Sequence, residues 1–278
     1  MTSRLLMPYR RAERVAGAGV RPPATADVPG STRPTAILDW TGPGVTALVE
    51  RVRAAGPAGP LDALRVAHGI VAREIRPVYS VEDRRRVSRT LRLGRGSCSQ
   101  RMAVLEAAAR AMGVPTRVRG LLVDGVFWYP RFPRLKPLVP EQVLLAWPEF
   151  RPAEAWIPIG ELFGTADGGA GGGPMPPEGP LTEPGGGTGD RGAGFTNQGG
   201  ETLFDAVART TVDWGGASSC TASGTACDLS ARVLSDLGHF DSRDELFARH
   251  GQTLCLAART AGEPVLGRWS AGAHKIPS

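Results

Sequence analysis

Apolar residues recur at helical intervals from residue 45 onward. Val45, Leu48, Val49 and Val52 form one stripe that stops at Gly56 and Pro57, which predicts a first helix. Leu61, Leu64, His68, Val71 and Ile75 follow at intervals of 3, 4, 3 and 4, framed by Pro60 and Pro77. A proline at the start and another past the end suit a helix of that span. His68 lies on the stripe, where a side chain normally packs in the core. A third helix is expected from about Val81 to Thr90. Then comes a glycine-rich bend, Gly94-Arg95-Gly96-Ser97-Cys98, after which Cys98, Met102, Leu105, Ala109 and Met112 repeat at 4, 3, 4 and 3 until Gly113-Val114-Pro115. Cys98 therefore opens a helix.

The period then changes. Thr116 to Val123 and Val126 to Tyr129 are rich in β-formers and separated by Asp124-Gly125, which predicts a hairpin. Beyond a proline-rich stretch, Val143 to Phe150 and Trp156 to Leu162 predict a second. Four helices followed by antiparallel strands make an α+β core over residues 37–163. Residues 1–36 lack periodicity and are expected to form a poorly ordered arm. Residues 164–200 collapse into Gly, Pro, Thr and Asp, a composition that buries too little apolar area to offset ordering, so they read as a flexible insert. Its glycine runs lack the Gly-Lys-Ser/Thr ending of a phosphate loop. Residues 201–278, with helical spacing at Leu203 and Val207 and again at Leu229, Val233 and Leu237, read as a small helical segment.

Composition sharpens this outline. The 37 Gly and 24 Pro of 278 residues are roughly double the usual share, and much of the excess falls in the arm and the insert. The charge is +6, with 33 Lys+Arg against 27 Asp+Glu, yet Lys136 and Lys275 are the only lysines. That bias is of the kind GC-rich coding produces. The densest basic run, Arg84-Arg85-Arg86, follows Glu82-Asp83 and reads as a solvated helix face rather than a nucleic-acid surface. No apolar run approaches the roughly 18 residues of a membrane span, and no secretory h-region follows the first arginines. A cytoplasmic protein is expected, without nucleic-acid or membrane partners and with its four cysteines (Cys98, Cys220, Cys227, Cys255) mostly reduced.

The candidate chemistry centres on Cys98. A helix N-terminus lowers a thiol pKa from about 8.5, and Gly94 and Gly96 allow a close backbone approach. The opposing reading is a buried cysteine continuing its helix's apolar stripe. Cys220, Cys227, His239, His250 and Cys255 supply metal-ligating letters, but their spacings match no common zinc pattern, so no metal is assigned and a zinc-stabilised interaction protein is the weakest reading. Trp128 and Trp147 belong to an aromatic-rich region fit to line a hydrophobic cleft.

Over residues 61–163, Gly94 to Cys98 with Ala103, Leu105, Ala109, Met112-Gly113-Val114-Pro115 and Arg117 resembles the nucleophile helix of the transglutaminase-like family, which has a papain-like cysteine fold. Ala146-Trp147-Pro148-Glu149-Phe150 is similar to that family's His-Ala-Trp-x-Glu strand, and Trp156-Ile157-Pro158-Ile159 to its Trp-x-x-x-Asp strand. The resemblance implies a Cys-His-Asp triad, but in this register the histidine falls on Leu145 and the aspartate on Gly160. Cys98 carries over as nucleophile. Gln142 is a candidate orienting or oxyanion group, His239 a candidate replacement base with His250 behind it, and Glu161 takes the aspartate's place only after a slip that flips its face. Two functions follow from the resemblance. One is a cofactor-free, cysteine-dependent acyl transferase or amidohydrolase acting on a small-molecule, peptide or carrier-bound acyl substrate. The other is a degenerate member of the family that serves as a binding or scaffold module.

Overall fold

The computed structural model describes residues 2–9, 28–164, 194–215 and 226–271. The expected insert lies almost wholly outside the described residues, as do Cys220 and His274. After a short N-terminal turn α1 (Thr2–Leu5), helices α2 (Pro43–Ala54) and α3 (Pro60–Glu74) bury the stripes read from the sequence, including His68. Within the stretch expected as a loose arm, Met7 is buried and Ser31 bridges Thr116.

The third helix, α4, runs Val87–Leu93 rather than from Val81. The residues before it are held by long-range bonds instead: the Glu82 carbonyl accepts from Gln100 Nε2, and Asp83 accepts from the Thr253 N–H. Arg85 is buried against Ser80, Gln100 and Glu263, so the triple arginine is not a wholly solvated face. Two-residue strands β1 (Arg76–Pro77) and β2 (Arg95–Gly96) pair in parallel and deliver the chain to α5 (Cys98–Ala111), which ends at Gly113 with φ +83°. From Gln100 to Arg110 every residue of α5 is buried, against α2, α3, α4 and the main sheet.

That sheet is antiparallel, in the order β5 (Ile157–Pro158), β4 (Gln142–Phe150), β3 (Thr116–Asp124), β8 (Val233–Phe240). The expected hairpin at Asp124-Gly125 does not form. Asp124 Oδ1 accepts from the Val126 N–H at 3.0 Å and residues 125–128 coil into a 3₁₀ turn. Gly125 lies against Pro140, where an added Cβ would come within 1.8 Å of the carbonyl oxygen. β3 therefore pairs with β4, from Thr116 opposite Phe150 to Asp124 opposite Gln142. The second hairpin has a shorter outer arm than expected, Glu149 and Phe150 pairing with Pro158 and Ile157 before a 3₁₀ turn at Ile159–Glu161.

The C-terminal segment is the larger correction. A single helical turn α6 (Leu203–Ala206) leads to the parallel pair β6 (Thr211–Asp213) and β7 (Ala226–Asp228). Val233 and Leu237 then lie on β8, not on a helix. Gly238 adopts φ +82° and Asp236 Oδ1 accepts from its N–H, a local bond that competes with helix formation, and the open edge of β3 takes the strand through two register shifts. Helices α7 (Arg243–His250) and α8 (Leu256–Leu266) close the described chain. Among the described residues no helix is long and apolar enough to cross a membrane.

Three charged residues of α5 point into this interior. Glu106 pairs with the fully buried Arg243, which also reaches Ser99 and the Ala146 carbonyl. Truncating one partner of such a pair strands the other charge, at a cost of about 3–5 kcal/mol. Glu106→Gln should lower the urea midpoint by a corresponding amount. Glu74→Gln, which breaks the exposed pair with Arg51, should barely move it. Equal midpoints for the two variants would contradict the assignment.

Candidate functional site

The bend before Cys98 is fixed by Gln100. Its Oε1 accepts from the Ser97 N–H at 3.0 Å while Ser97 Oγ accepts from the Gln100 N–H at 3.3 Å, a reciprocal cap on α5. A Cβ on Gly96 would come within 2.9 Å of Thr90 and 3.2 Å of Gln100, so glycine is required there. Cys98 takes the first helical position, half-buried, on the wall of a cavity of about 310 Å³. Leu145, Trp128, Tyr79, Leu203 and Arg131 line the same space.

The thiol is not primed by this position. Burial pushes its pKa up to about 12, Asp205 adding to the rise, against the opposing pull of Arg101, of the Phe204 N–H bonded to the sulfur, and of Arg243. Desolvation thus outweighs the helix terminus. The Phe204 backbone also meets an imidazole. His68 Nε2 lies 2.7 Å from the Phe204 carbonyl, and its ring stacks on the Phe204 ring with centroids 4.3 Å apart. A carbonyl only accepts, so Nε2 carries the proton and donates it there. Burial holds the His68 pKa below its ordinary value.

The other candidates are dispersed. His239 projects from β8 to Glu149, Nε2 to Oε1 3.1 Å, in a cluster completed by Arg117. Burial acts to raise the Glu149 pKa, but the bonds from His239 and Arg117 outweigh it and the net shift is downward. Glu149 is four residues along β4 from Leu145, about 13 Å at strand spacing, and His239 is not on the cavity wall. His250 packs edge-on against Phe240. Gln142 is buried at the start of β4 and does not line the cavity, although Val143, Leu144 and Leu145 do. Trp128 lines the cavity, whereas Trp147 is buried against Trp214. Glu161 lies at the surface, its pKa raised by partial desolvation, by Asp213 and by Glu149. At Gly160 an added Cβ would come within 2.0 Å of the Val212 carbonyl oxygen. Among the described residues no group of three or more His, Cys, Asp or Glu side chains could hold a metal ion.

Arg131, Asn197 and Phe204 escaped the sequence reading. Arg131 sits in a proline-rich stretch without periodicity, and Asn197 at the edge of the glycine-rich segment. Phe204 acts through its backbone, which no side-chain pattern reports.

A helix opened by a cysteine and packed on an antiparallel sheet, with strands β4 and β5 following it, defines an α+β core of the papain-like kind. Residues 47–160 match the model of the transglutaminase-like superfamily, and the chain carries a transglutaminase-like domain. Neither the curated proteins nor the solved structures offer a match.

His68 gives a pH test. Its folded pKa lies below the ordinary value of 6.5, so between the two the unfolded chain binds more protons and stability falls as pH drops. His68→Gln should flatten the dependence of unfolding free energy on pH below about 7. Parallel curves for wild type and variant would refute it.

Proposed function

We propose that the transglutaminase-like domain is a binding module for a small apolar ligand, held in the cavity beside Cys98, and that it has given up the family's acyl-transfer chemistry. The observation that carries this reading is that Cys98 and Leu145 line one apolar cavity. A thiol of pKa about 12 needs a base to attack a carbonyl, and a leucine at the position of the family histidine cannot take a proton. Two further observations support it. His68 and His239 are each committed elsewhere, to the Phe204 carbonyl and to Glu149. Gly160, where the family register expects a carboxylate, stands too close to Val212 to carry a side chain without a backbone shift. The free thiols of Cys98, Cys227 and Cys255 fit the cytoplasm, the compartment expected from the sequence, and we assign it.

The acyl transferase or amidohydrolase reading has one observation in its favour, the placement of Cys98 on the cavity wall at the start of α5. The two readings diverge in a labelling experiment. At about pH 6.5, iodoacetamide should modify Cys98 no faster than a free thiol of pKa about 8.5, and Cys98→Ser should still bind an environment-sensitive apolar dye. Rapid labelling of Cys98 ahead of the other cysteines would favour the enzyme. In the binding reading Leu145→Trp fills the cavity and lowers dye affinity, while Leu138→Asp at the exposed rim weakens it less.

A further inference from the structure

The cavity wall is apolar over most of its extent, and among the described residues Arg131 is the one basic side chain on it. The surroundings of that guanidinium are unusual in this protein. Arg85, Arg101, Arg117, Arg119 and Arg243 each meet a carboxylate. Arg131 meets none among the described residues. Its Nε donates to Asn197 Oδ1 at 2.7 Å, one terminal nitrogen donates to the Ala271 carbonyl at 3.2 Å, and the other donates to the Glu201 carbonyl. All three acceptors are neutral. Arg110 is likewise bonded to neutral oxygens, from Thr116, Arg33 and Asp241, but it is buried in the core, whereas Arg131 borders an open space. A guanidinium has five N–H groups, and these three bonds leave two.

The cation is also held in place. Asn197, 6% exposed, adopts φ +60° and donates Nδ2 to the Phe127 carbonyl at 2.7 Å while its Oδ1 takes the Arg131 bond. The side chain is therefore fixed from behind before any ligand arrives, which lowers the entropy lost on binding. The one carboxylate on the wall among the described residues, Asp83, accepts from the Thr253 N–H at 3.3 Å. It disfavours an anion at its own position and so reinforces the direction that Arg131 sets.

We infer that the cavity takes an amphiphilic carboxylate, its anionic head on Arg131 and its apolar chain among Leu135, Leu138, Leu145, Leu203 and Leu266. The inference rests on the reading of the cavity as a ligand site. A volume of about 310 Å³ is near the lower end of the roughly 300–1,000 Å³ of small-molecule pockets, which selects a medium chain or a single aromatic ring over a long lipid. A charge-assisted bond to a desolvated head is worth about ten- to a hundredfold in affinity over a neutral head of the same chain.

The test titrates the full chain calorimetrically with decanoate, decanol and decylamine at matched ionic strength. Decanoate should bind about ten- to a hundredfold tighter than decanol. That advantage should fall to near unity in Arg131→Gln and be partly retained in Arg131→Lys. Equal affinity for decanoate and decanol in the wild type overturns the head-group assignment while leaving the apolar cavity as a ligand site. Preference for decylamine overturns it too, in favour of Asp83. If none of the three binds, the ligand-site reading falls with it. Should Arg131→Gln fail to fold, the wild-type ranking and Arg131→Lys decide the matter.

Discussion

The fold hangs on how α5 satisfies the charges it carries inside. Arg101, Glu106 and Arg110 are all buried, and an unpaired charge there costs several kcal/mol. Each is bonded by at least one segment distant in sequence. Arg101 bonds Thr202 and Asp205 and the Ala72 carbonyl. Glu106 takes Arg243. Arg110 bonds Thr116 and the carbonyls of Arg33 and Asp241. The helix thus fixes the N-terminal approach, the turn α6 and the entry to α7 at once. It also explains an arginine-rich, lysine-poor chain in part: the planar fork of guanidinium donors bonds several oxygens at fixed angles, which an ammonium cannot do.

The same requirement shapes the candidate site. Asp205, bonded to Arg101, belongs to the turn that places the Phe204 peptide between the Cys98 sulfur and the His68 ring. With burial raising its pKa, this network leaves the Cys98 thiol protonated on an apolar wall. The sheet contributes Leu145 to that wall, and Trp147, two residues on, packs toward Trp214 and Gly160. The space next to the cysteine is lined by hydrocarbon, and this bears on what can enter it.

The helices around Cys98 were legible because their apolar stripes are local and their ends are marked by Pro60, Gly56 and Gly113. The strands β3 and β4 were legible as strands, but the partner of β3 was not. Asp124-Gly125 carries hairpin chemistry, yet its glycine answers a close approach to Pro140, a contact between residues that no local pattern connects. β8 was misread because Leu229, Val233 and Leu237 fit a helical period while the decisive fact was an open sheet edge more than a hundred residues upstream. Cys98 was placed correctly at the start of its helix. Its thiol was open to two readings, activated by the helix terminus or buried on the helix's apolar stripe, and burial outweighs the terminus. His239, the candidate replacement base, bonds to Glu149, a partner set by strand pairing.

The pairing of β8 with β3 has a consequence for how the protein is made. Residues 47–160 are a recognisable unit by descent, but not by physics: severed at residue 160 they would hold Glu106 without Arg243, Arg101 without Asp205, and β3 with a bare edge. Such a fragment has the exposed strand and unmet charges of an aggregation-prone intermediate. During synthesis the helix that opens with Cys98 emerges long before the residues that complete it. Its interior therefore closes late, through contacts of high sequence separation that slow folding, and the boundary of the family match is not the boundary of the folding unit.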